Sequence, residues 1–416
     1  MIKLHMNFRF DNKLLKKMMP LIIQIVPKKT TISVLTFLQF SIENNILYLS
    51  ATNMESLLII SLCNNINLPN MSFLVKAQIL QDILKNITED YLEIEITNKN
   101  IKIQNIYTLF KCEEPFPNRD LSEFIFLEKI NMDKLKSLFT AIDLDLRDDG
   151  TLKIDFHKHL IMYDRRRLSL TSLMETKINS NENIIKKELY LDPQLMRTVF
   201  KIFNKTEKNI NNKINDNKET INNNVIKNEV ILKIHKNELL FCEKSDNEIY
   251  TENIKGSSFI EGNINFIIKQ KSPIQIQYEH LLNFQKECFH VSLNTKELIK
   301  ALKTTLVLSS VLTRCIKCII NDKKFTIESF DPSSGNSSIT IDCQSNNNIT
   351  FNLNGDYLLE ALHDHSEKTN VENNEIKGET NIYYTNSFKA IFILNNYIDK
   401  DLHFNTTHVI MPIRIN

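Results

Sequence analysis

Phe289-His290-Val291-Ser292-Leu293 is followed by Asn294-Thr295 and then by Leu298, Ala301, Leu302 and Leu306. The first five residues read as a short strand. The spacings of three and four that follow put one apolar stripe on a helix. Asn294 or Thr295 supplies a side-chain oxygen suited to cap that helix. The same sequence of strand, polar cap and amphipathic helix occurs twice upstream. Phe8-Arg9-Phe10-Asp11 leads into Leu14, Met18, Leu21 and Ile25, and Phe126 to Asn131 leads into Leu135, Leu138, Phe139 and Ile142. Asp11 and Asn131 are the corresponding caps.

A second pattern recurs midway through each unit. Phe73-Leu74-Val75 precedes Ile79, Leu80, Ile83 and Leu84; Leu189-Tyr190-Leu191 precedes Leu195, Val199 and Ile202; Ile349-Thr350-Phe351-Asn352-Leu353 precedes Leu358, Leu359 and Leu362. Alternating strands follow each helix. They are Leu92 to Ile96 with Ile101 to Ile103, Val230 to Ile234 with Leu239 to Phe241, and Ile382 to Tyr384 with Phe388 to Phe392. Period-two alternation split by Asn-rich turns predicts hairpins. The expected fold is therefore α+β: three repeats, each of two helices packed on curved antiparallel sheets. The expected domains are 1–123, 124–286 and 287–416. Residues 204–228, rich in Asn, Lys and Glu, bury too little apolar surface to offset their ordering entropy and read as an insertion in the second. Ser366 to Thr380 is a shorter one.

Composition narrows the function. The 416 residues are 42% hydrophobic, with 51 basic against 50 acidic side chains, so a net charge of +1. A nucleic-acid partner would require segregated positive charge. No apolar run approaches the roughly 18–20 residues that cross a bilayer, and Met1 to Phe10 holds no signal core. A soluble, cytoplasmic chain with its seven Cys reduced is expected. The six Gly allow neither a dinucleotide-binding fingerprint nor a P-loop. Asn tolerates the left-handed backbone region and is expected to replace Gly in turns.

The tail, Val409-Ile410-Met411-Pro412-Ile413-Arg414-Ile415-Asn416, is apolar where most termini are polar. It resembles the C-terminal signature of the bacterial DNA polymerase III beta subunit, the replicative sliding clamp. Thr31 to Leu35 followed by Leu47-Tyr48-Leu49-Ser50-Ala51-Thr52-Asn53-Met54-Glu55 is similar to that family's first hairpin and A-T-D-x-E turn. Phe116-Pro117-Asn118 matches its F-P-N, and Phe351-Asn352 with Tyr357 to Leu362 resembles its F-N-x-x-Y-L-x-D-x-L helix. The second domain departs more. The family's T-D-G-H-R-L turn stands here as Tyr163-Asp164-Arg165-Arg166-Arg167-Leu168, and D-G-R-F-P-D-Y as Lys255 to Glu261 without its Pro.

The resemblance implies a head-to-tail homodimeric ring around duplex DNA, without catalysis, cofactor, metal or membrane. Partners would be the replicative polymerase alpha subunit, the clamp loader and other proteins carrying a clamp-binding motif. These insert Leu and Phe anchors into an apolar pocket with a few polar groups. The implied walls are Arg167, Leu168, Ile260, Val409, Met411, Pro412, Ile413 and Arg414, with altered specificity.

Tracking DNA without reading sequence calls for phosphate contacts alone. The candidates are Lys13, Lys16 and Lys17 on the first helix, Lys28 and Lys29 after it, Lys134, Lys136, Arg197 and Lys201, and Lys296, Lys300 and Lys303. Lys76 and Lys85 are weaker ones. Asp356, Glu360, His363 and His365 leave the last helix non-basic. Two rival readings are a clamp-derived binding protein with other partners and a metal-dependent hydrolase. The hydrolase would use Glu360, His363, Asp364 and His365, His157 and His159, or Asp143, Asp145, Asp148 and Asp149. Cys315 and Cys318 sit in a strand-like run, where alternation sends them to opposite faces.

Overall fold

The computed structural model describes residues 5–97, 99–110, 112, 114–142, 150–155, 159–164, 166–172, 188–204, 229–243, 264–272, 278, 284, 288–345, 347–363, 379–399 and 402–414. The first elements are β1 (His5–Asp11), α1 (Lys13–Ile25), β2 (Phe37–Glu43), β3 (Ile46–Thr52), β4 (Ser56–Cys63), β5 (Met71–Lys76) and α2 (Ala77–Asn86). Then come β6 (Tyr91–Thr97), β7 (Asn100–Ile103), β8 (Tyr107–Phe110), β9 (Ile125–Asn131) and α3 (Met132–Ile142). The middle of the chain forms β10 (Thr151–Asp155), β11 (His159–Tyr163), β12 (Arg167–Ser172), β13 (Glu188–Leu191) and α4 (Pro193–Asn204). It continues with β14 (Glu229–His235), β15 (Glu238–Glu243) and β16 (Ile264–Lys269). The rest is β17 (Phe289–Asn294), α5 (Thr295–Thr305), β18 (Cys315–Asn321), β19 (Lys324–Asp331), β20 (Gly335–Ser345) and β21 (Ile349–Asn354). The last elements are α6 (Gly355–His363), β22 (Glu379–Tyr384), β23 (Ile391–Asp399) and β24 (Leu402–Ile410).

These elements gather into two compact units: Met1–Asp133 with Gln194–Gln270, and Lys134–Pro193 with Lys271–Asn416. The first holds a four-stranded sheet, β1-β6-β7-β8, and an eight-stranded one, β5-β2-β3-β4-β16-β15-β14-β9. Helix α1 buries Leu15, Met18, Leu21, Ile22 and Ile25, and α2 buries Leu80, Ile83 and Leu84. Strand β6 alternates as its sequence dictates: Leu92, Ile94 and Ile96 are buried, while Glu93 and Glu95 are half-exposed. Burying each such aliphatic side chain contributes roughly 1.5–3 kcal/mol.

Asparagine does replace glycine in the turns. Asn44 and Asn45 both take positive φ (52° and 64°) between β2 and β3, the pattern of a two-residue type I′ hairpin. Asn65 and Asn105 also take positive φ.

Two local expectations are corrected. Thr31 to Leu35 is not a strand; Ser33–Thr36 is a 3-10 turn, and the first hairpin is β2 with β3. The Thr30 hydroxyl accepts from the Ile32 N–H (3.1 Å) and the Thr36 hydroxyl donates to the Ser33 carbonyl (2.8 Å). Adjacent Val34 and Leu35 are both buried in one core cluster, which strand alternation would forbid. The last hairpin's second strand starts at Ile391 rather than Phe388, because the Asn386 carboxamide accepts from the Phe388 and Lys389 N–H groups (3.0 Å each) and holds a turn there.

The second unit is built on one twelve-stranded sheet, β13-β10-β11-β12-β24-β23-β22-β17-β20-β19-β18-β21. Helices α5 and α6 pack Leu298, Ala301, Leu302, Leu358, Ala361 and Leu362 into its main core. Asn294 caps α5, accepting from the Glu297 N–H at 3.2 Å. At α1 the cap differs in detail: Asn12 is the capping position, and the Asp11 carboxylate accepts from the Lys13 N–H at 2.8 Å.

The repeats reappear as strand order. Each half-repeat is a four-strand set whose fourth member is the last strand of a meander: β1-β6-β7-β8, β5-β2-β3-β4, β9-β14-β15-β16, β13-β10-β11-β12, β17-β22-β23-β24 and β21-β18-β19-β20. In both units two such sets fuse through their last strands, β4 with β16 and β12 with β24, always antiparallel.

Candidate functional site

The tail leaves β24 at the fusion of β12 with β24. Leu168, Val409 and Phe392 are direct cross-strand neighbours and share an apolar cluster with Tyr163, Leu170, Tyr278 and Phe284. Phe284 stacks on Phe392 with ring centroids 4.3 Å apart. Past Ile410 the chain stays ordered by two backbone bonds. The Met411 N–H donates to the Arg166 carbonyl (3.0 Å), and the Ile413 N–H donates to the Asn352 carbonyl of β21 (2.8 Å). The tail thus spans from the β11–β12 turn to the far edge of the sheet. Met411 and Arg414 are exposed, and Pro412 and Ile413 half-buried.

Arg167 anchors this corner. Its neighbour Leu168 lies in the apolar cluster, whereas the Arg167 guanidinium lies against helix α6. Nε donates to Asp164 Oδ2 at 3.0 Å, Nη1 pairs with Glu360 Oε2, and the guanidinium carbon sits 4.2 Å from the centre of the Tyr357 ring. Asp164 Oδ1 accepts from the Arg166 and Arg167 N–H groups (2.8 and 3.0 Å), fixing the turn. The Arg167 side chain is 4% exposed, Asp164 9% and Glu360 31%, so the charges compensate each other largely out of water.

Residues 6–113 match the family described as DNA polymerase III beta subunit, N-terminal domain. Comparison with solved structures extends the likeness to the whole chain. The DNA polymerase III subunit beta of Pseudomonas aeruginosa superposes with a TM-score of 0.73 at 17% identity, covering 99% of this chain and 100% of that one. The beta sliding clamp of C. crescentus gives 0.73 at 13%, and the sliding clamp of Bacillus subtilis 0.71 at 16%, with the same coverage. The chain has the beta sliding clamp fold. A comparison with curated proteins by sequence gives no match.

In this clamp fold the expected pocket residues separate into two groups. Arg167, Leu168, Val409, Met411, Pro412, Ile413 and Arg414 gather around the end of β24. Ile260 lies outside the described residues and precedes β16 in sequence. The segment that leads from β16 to β17 instead supplies Tyr278 and Phe284, which pack with Leu168 and Val409. Their signal in the sequence was slight: two aromatics in a stretch without periodicity.

The basic residues divide similarly. Lys28, Lys29, Lys136, Lys201, Lys296, Lys300 and Lys303 are exposed. On α5, Lys296, Lys300 and Lys303 share the face opposite the buried Leu298, Ala301 and Leu302. Lys17, Lys134 and Arg197 are half-buried, while Lys76 and Lys85 are exposed and Lys85 pairs with Asp82 at 2.9 Å. Two lysines of α1 have structural work: Lys13 pairs with Asp90 (3.1 Å), and Lys16 donates to the Ile87 and Glu89 carbonyls (2.9 Å each) at the end of α2. The carboxylates of α6 are likewise engaged, Asp356 with Arg314 (2.8 Å) and Glu360 with Arg167.

Among the described residues no group of three or more His, Cys, Asp or Glu is placed to hold a metal. His157, Asp364, His365 and the Asp143 to Asp149 cluster lie outside them, as does the side chain of His363. Cys318 is buried in the core and Cys315 is half-exposed; burial pushes the Cys318 thiol pKa up, which makes it a poor nucleophile.

Proposed function

We propose that this chain is a DNA sliding clamp, a non-catalytic processivity factor whose three domains are 1–123, 124–286 and 287–416. Two copies close head to tail around duplex DNA. The pocket at the end of β24 holds the replicative polymerase alpha subunit, the clamp loader and other proteins with a clamp-binding motif, in the cytoplasm. Holding a polymerase on a ring raises its effective concentration at the primer end, so it rebinds before diffusing away.

The observation that carries this reading is the clamp fold over 99% of the chain together with the family match over residues 6–113. Strand order supports the ring. Two fusions, β4 with β16 and β12 with β24, use the last strand of each set. The same rule leaves two last strands without such a fusion: β8, at the edge of its sheet, and β20, which meets β17 over only three residue pairs. A third fusion of that kind would join β8 of one copy to β20 of the next. Repeated, it closes a ring and covers both edges. Exposed Ile106 beside β8, and exposed Val307, Val311, Leu312 and Phe330 around β19 and the turn after α5, are the apolar groups such an interface would cover.

The exposed lysines of α5, with Lys28 and Lys29, supply phosphate contacts that read no sequence. The test is topological. Loaded by its own clamp loader on nicked circular duplex DNA, the protein should stay bound through gel filtration at high salt and fall off once the circle is cut. Loss from circular and linear DNA at equal rates would refute the ring.

A further inference from the structure

The fusion of β4 with β16 repeats the tail site in register. Thr52 pairs with Leu57, Leu57 with Ile267 and Ile267 with Leu240 across adjacent strands. Tyr163, Leu168, Val409 and Phe392 pair in the same order in the second unit. The turn before β4 is built like the turn before β12. Asn53 Oδ1 accepts from the Glu55 and Ser56 N–H groups (3.0 and 2.7 Å), as Asp164 Oδ1 accepts from those of Arg166 and Arg167. The end of β16 is held as the end of β24 is. The Lys269 N–H donates to the Glu55 carbonyl at 2.8 Å, where Met411 uses that of Arg166. Phe116 and Phe124, from the segment between β8 and β9, join the cluster of Leu57 and Ile267, as Tyr278 and Phe284 join that of Leu168 and Val409.

The two places differ in what they leave open. Thr52 stands where the tail site has the Tyr163 ring, and beside it lies a cleft of about 270 Å³, open to solvent. Met54, Leu57, Pro117 and Ile267 are its apolar lining. Met54 is 38% exposed and holds a φ of 75°, a conformation that L side chains rarely adopt, with its N–H bonded to Thr52 Oγ at 3.1 Å. Pockets that hold whole small molecules run from about 300 to 1,000 Å³, so this cleft suits a single anchoring side chain.

The charges in the lining are Glu55, Arg119 and Glu238. Arg119 Nε is bound to Glu238 Oε1 at 3.1 Å, and its Nη1 donates to the Asn118 carbonyl at 3.3 Å. Glu55 is exposed and makes no ion pair among the described residues. One carboxylate is therefore left over. Lys269, the cross-strand partner of Glu238, is exposed nearby but outside the lining, and it offsets part of that negative charge.

We propose that this cleft is a second docking position, separate from the tail site, for a linear peptide that inserts one aliphatic side chain and sets a Lys or Arg beside Glu55. The clamp reading supplies the class of occupant; the position itself rests on the repeated register and the cleft. Exposed charge selects more than it tightens, and Lys269 stands close, so the preference for a cation should be only about three-fold and screened by salt.

The test is a methyl NMR titration of the full chain, labelled at isoleucine, with three nine-residue peptides that carry one central Leu flanked by Lys, Ala or Asp. Ile267 reports on the cleft and Ile413 on the tail site. The Lys peptide is expected to shift Ile267 at lower concentration than Ile413, to bind there about three-fold tighter than the Ala peptide, and the Asp peptide to bind weakest. Glu55→Lys should reverse that order at Ile267, leave the titration of Ile413 unchanged and melt at the wild-type temperature. The proposal is overturned if no peptide moves Ile267, if all three move it equally, or if Ile267 moves only in step with Ile413. A peptide with Leu and Phe anchors, titrated in parallel and read at Ile413, tests the tail site by itself, so a failure of the cleft and a failure of the clamp reading give different results.

Discussion

Replacing Arg167 with alanine removes a guanidinium that is 4% exposed, bonded to Asp164 and Glu360 and laid over Tyr357. Breaking a fully buried ion pair from one side typically costs about 3–5 kcal/mol, because the abandoned carboxylate stays desolvated. Two features lower that figure here. Glu360 is 31% exposed and can turn to water, and Asp164 keeps its bonds to two backbone N–H groups. The lost cation–π contact adds back roughly 0.5–1 kcal/mol. The expected net cost is about 2–4 kcal/mol, confined to the Lys134–Pro193 and Lys271–Asn416 unit. Urea unfolding, followed by hydrogen exchange to resolve the two units, should show protection falling at Met411 and Ile413 first, since their N–H groups bond across this corner. In a double-mutant cycle with Glu360→Gln, the coupling should be about 1–2 kcal/mol. A cost below about 0.5 kcal/mol with unchanged protection at Met411 would refute the claim that Arg167 holds the tail site together.

Other expectations follow from single groups. Burial pushes the Glu243 carboxyl up to about 7, opposed by the Lys17 charge and a bond from the Ile264 N–H. Its folded pKa thus exceeds the unfolded value, the folded state binds the extra proton between about pH 4.5 and 7, and this residue's contribution is full below that window and lost as pH rises through it. Glu243→Gln should therefore raise stability at pH 8 by about 2–3 kcal/mol and flatten the melting temperature between pH 5 and 8; an unchanged pH profile would contradict it. Lys28→Glu with Lys29→Glu should leave the melting temperature within about 1 °C while shortening retention on circular DNA several-fold, more so at low salt; unaltered retention would remove both from the DNA path. A Cβ at Gly355 would lie 2.6 Å from Leu306 Cδ2 and 3.1 Å from Ile316 Cγ2, so Gly355→Ala should cost about 1–3 kcal/mol in chemical denaturation, against the small gain alanine gives an open helix position.

The regular elements were legible because their burial is periodic. Met18, Leu21 and Ile25, or Leu298, Ala301 and Leu302, announce a helix face that the structure buries. The asparagine turns were legible from scarcity of glycine and appear at Asn44, Asn45, Asn65 and Asn105. Side-chain bonds to the backbone left no periodic trace. The Asn386 turn delays β23 to Ile391, and the hydroxyls of Thr30 and Thr36 support a 3-10 turn where a strand was expected. The tail site was legible as a composition, an apolar end together with a turn whose Asp164, Arg167 and Leu168 resemble the family's, but its geometry was not. Arg167 and Leu168 are adjacent in sequence yet serve different surroundings, one against α6 and the other in the aromatic cluster. Lys16 shows the same limit, since helix periodicity places it beside Lys13 but cannot show that its ammonium ties down the end of α2.

The central claim is a closed ring of two copies, and molar mass in solution tests it most directly. Light scattering across a concentration series should return about twice 48.7 kDa. Leu312→Asp with Phe330→Asp, both exposed and placed in the turn after α5 and on β19 beside the open end of β20, should shift it to a monomer with the melting profile of each unit retained. A wild-type chain that stays monomeric at every concentration would contradict the ring, and with it the mechanism by which this fold would hold DNA.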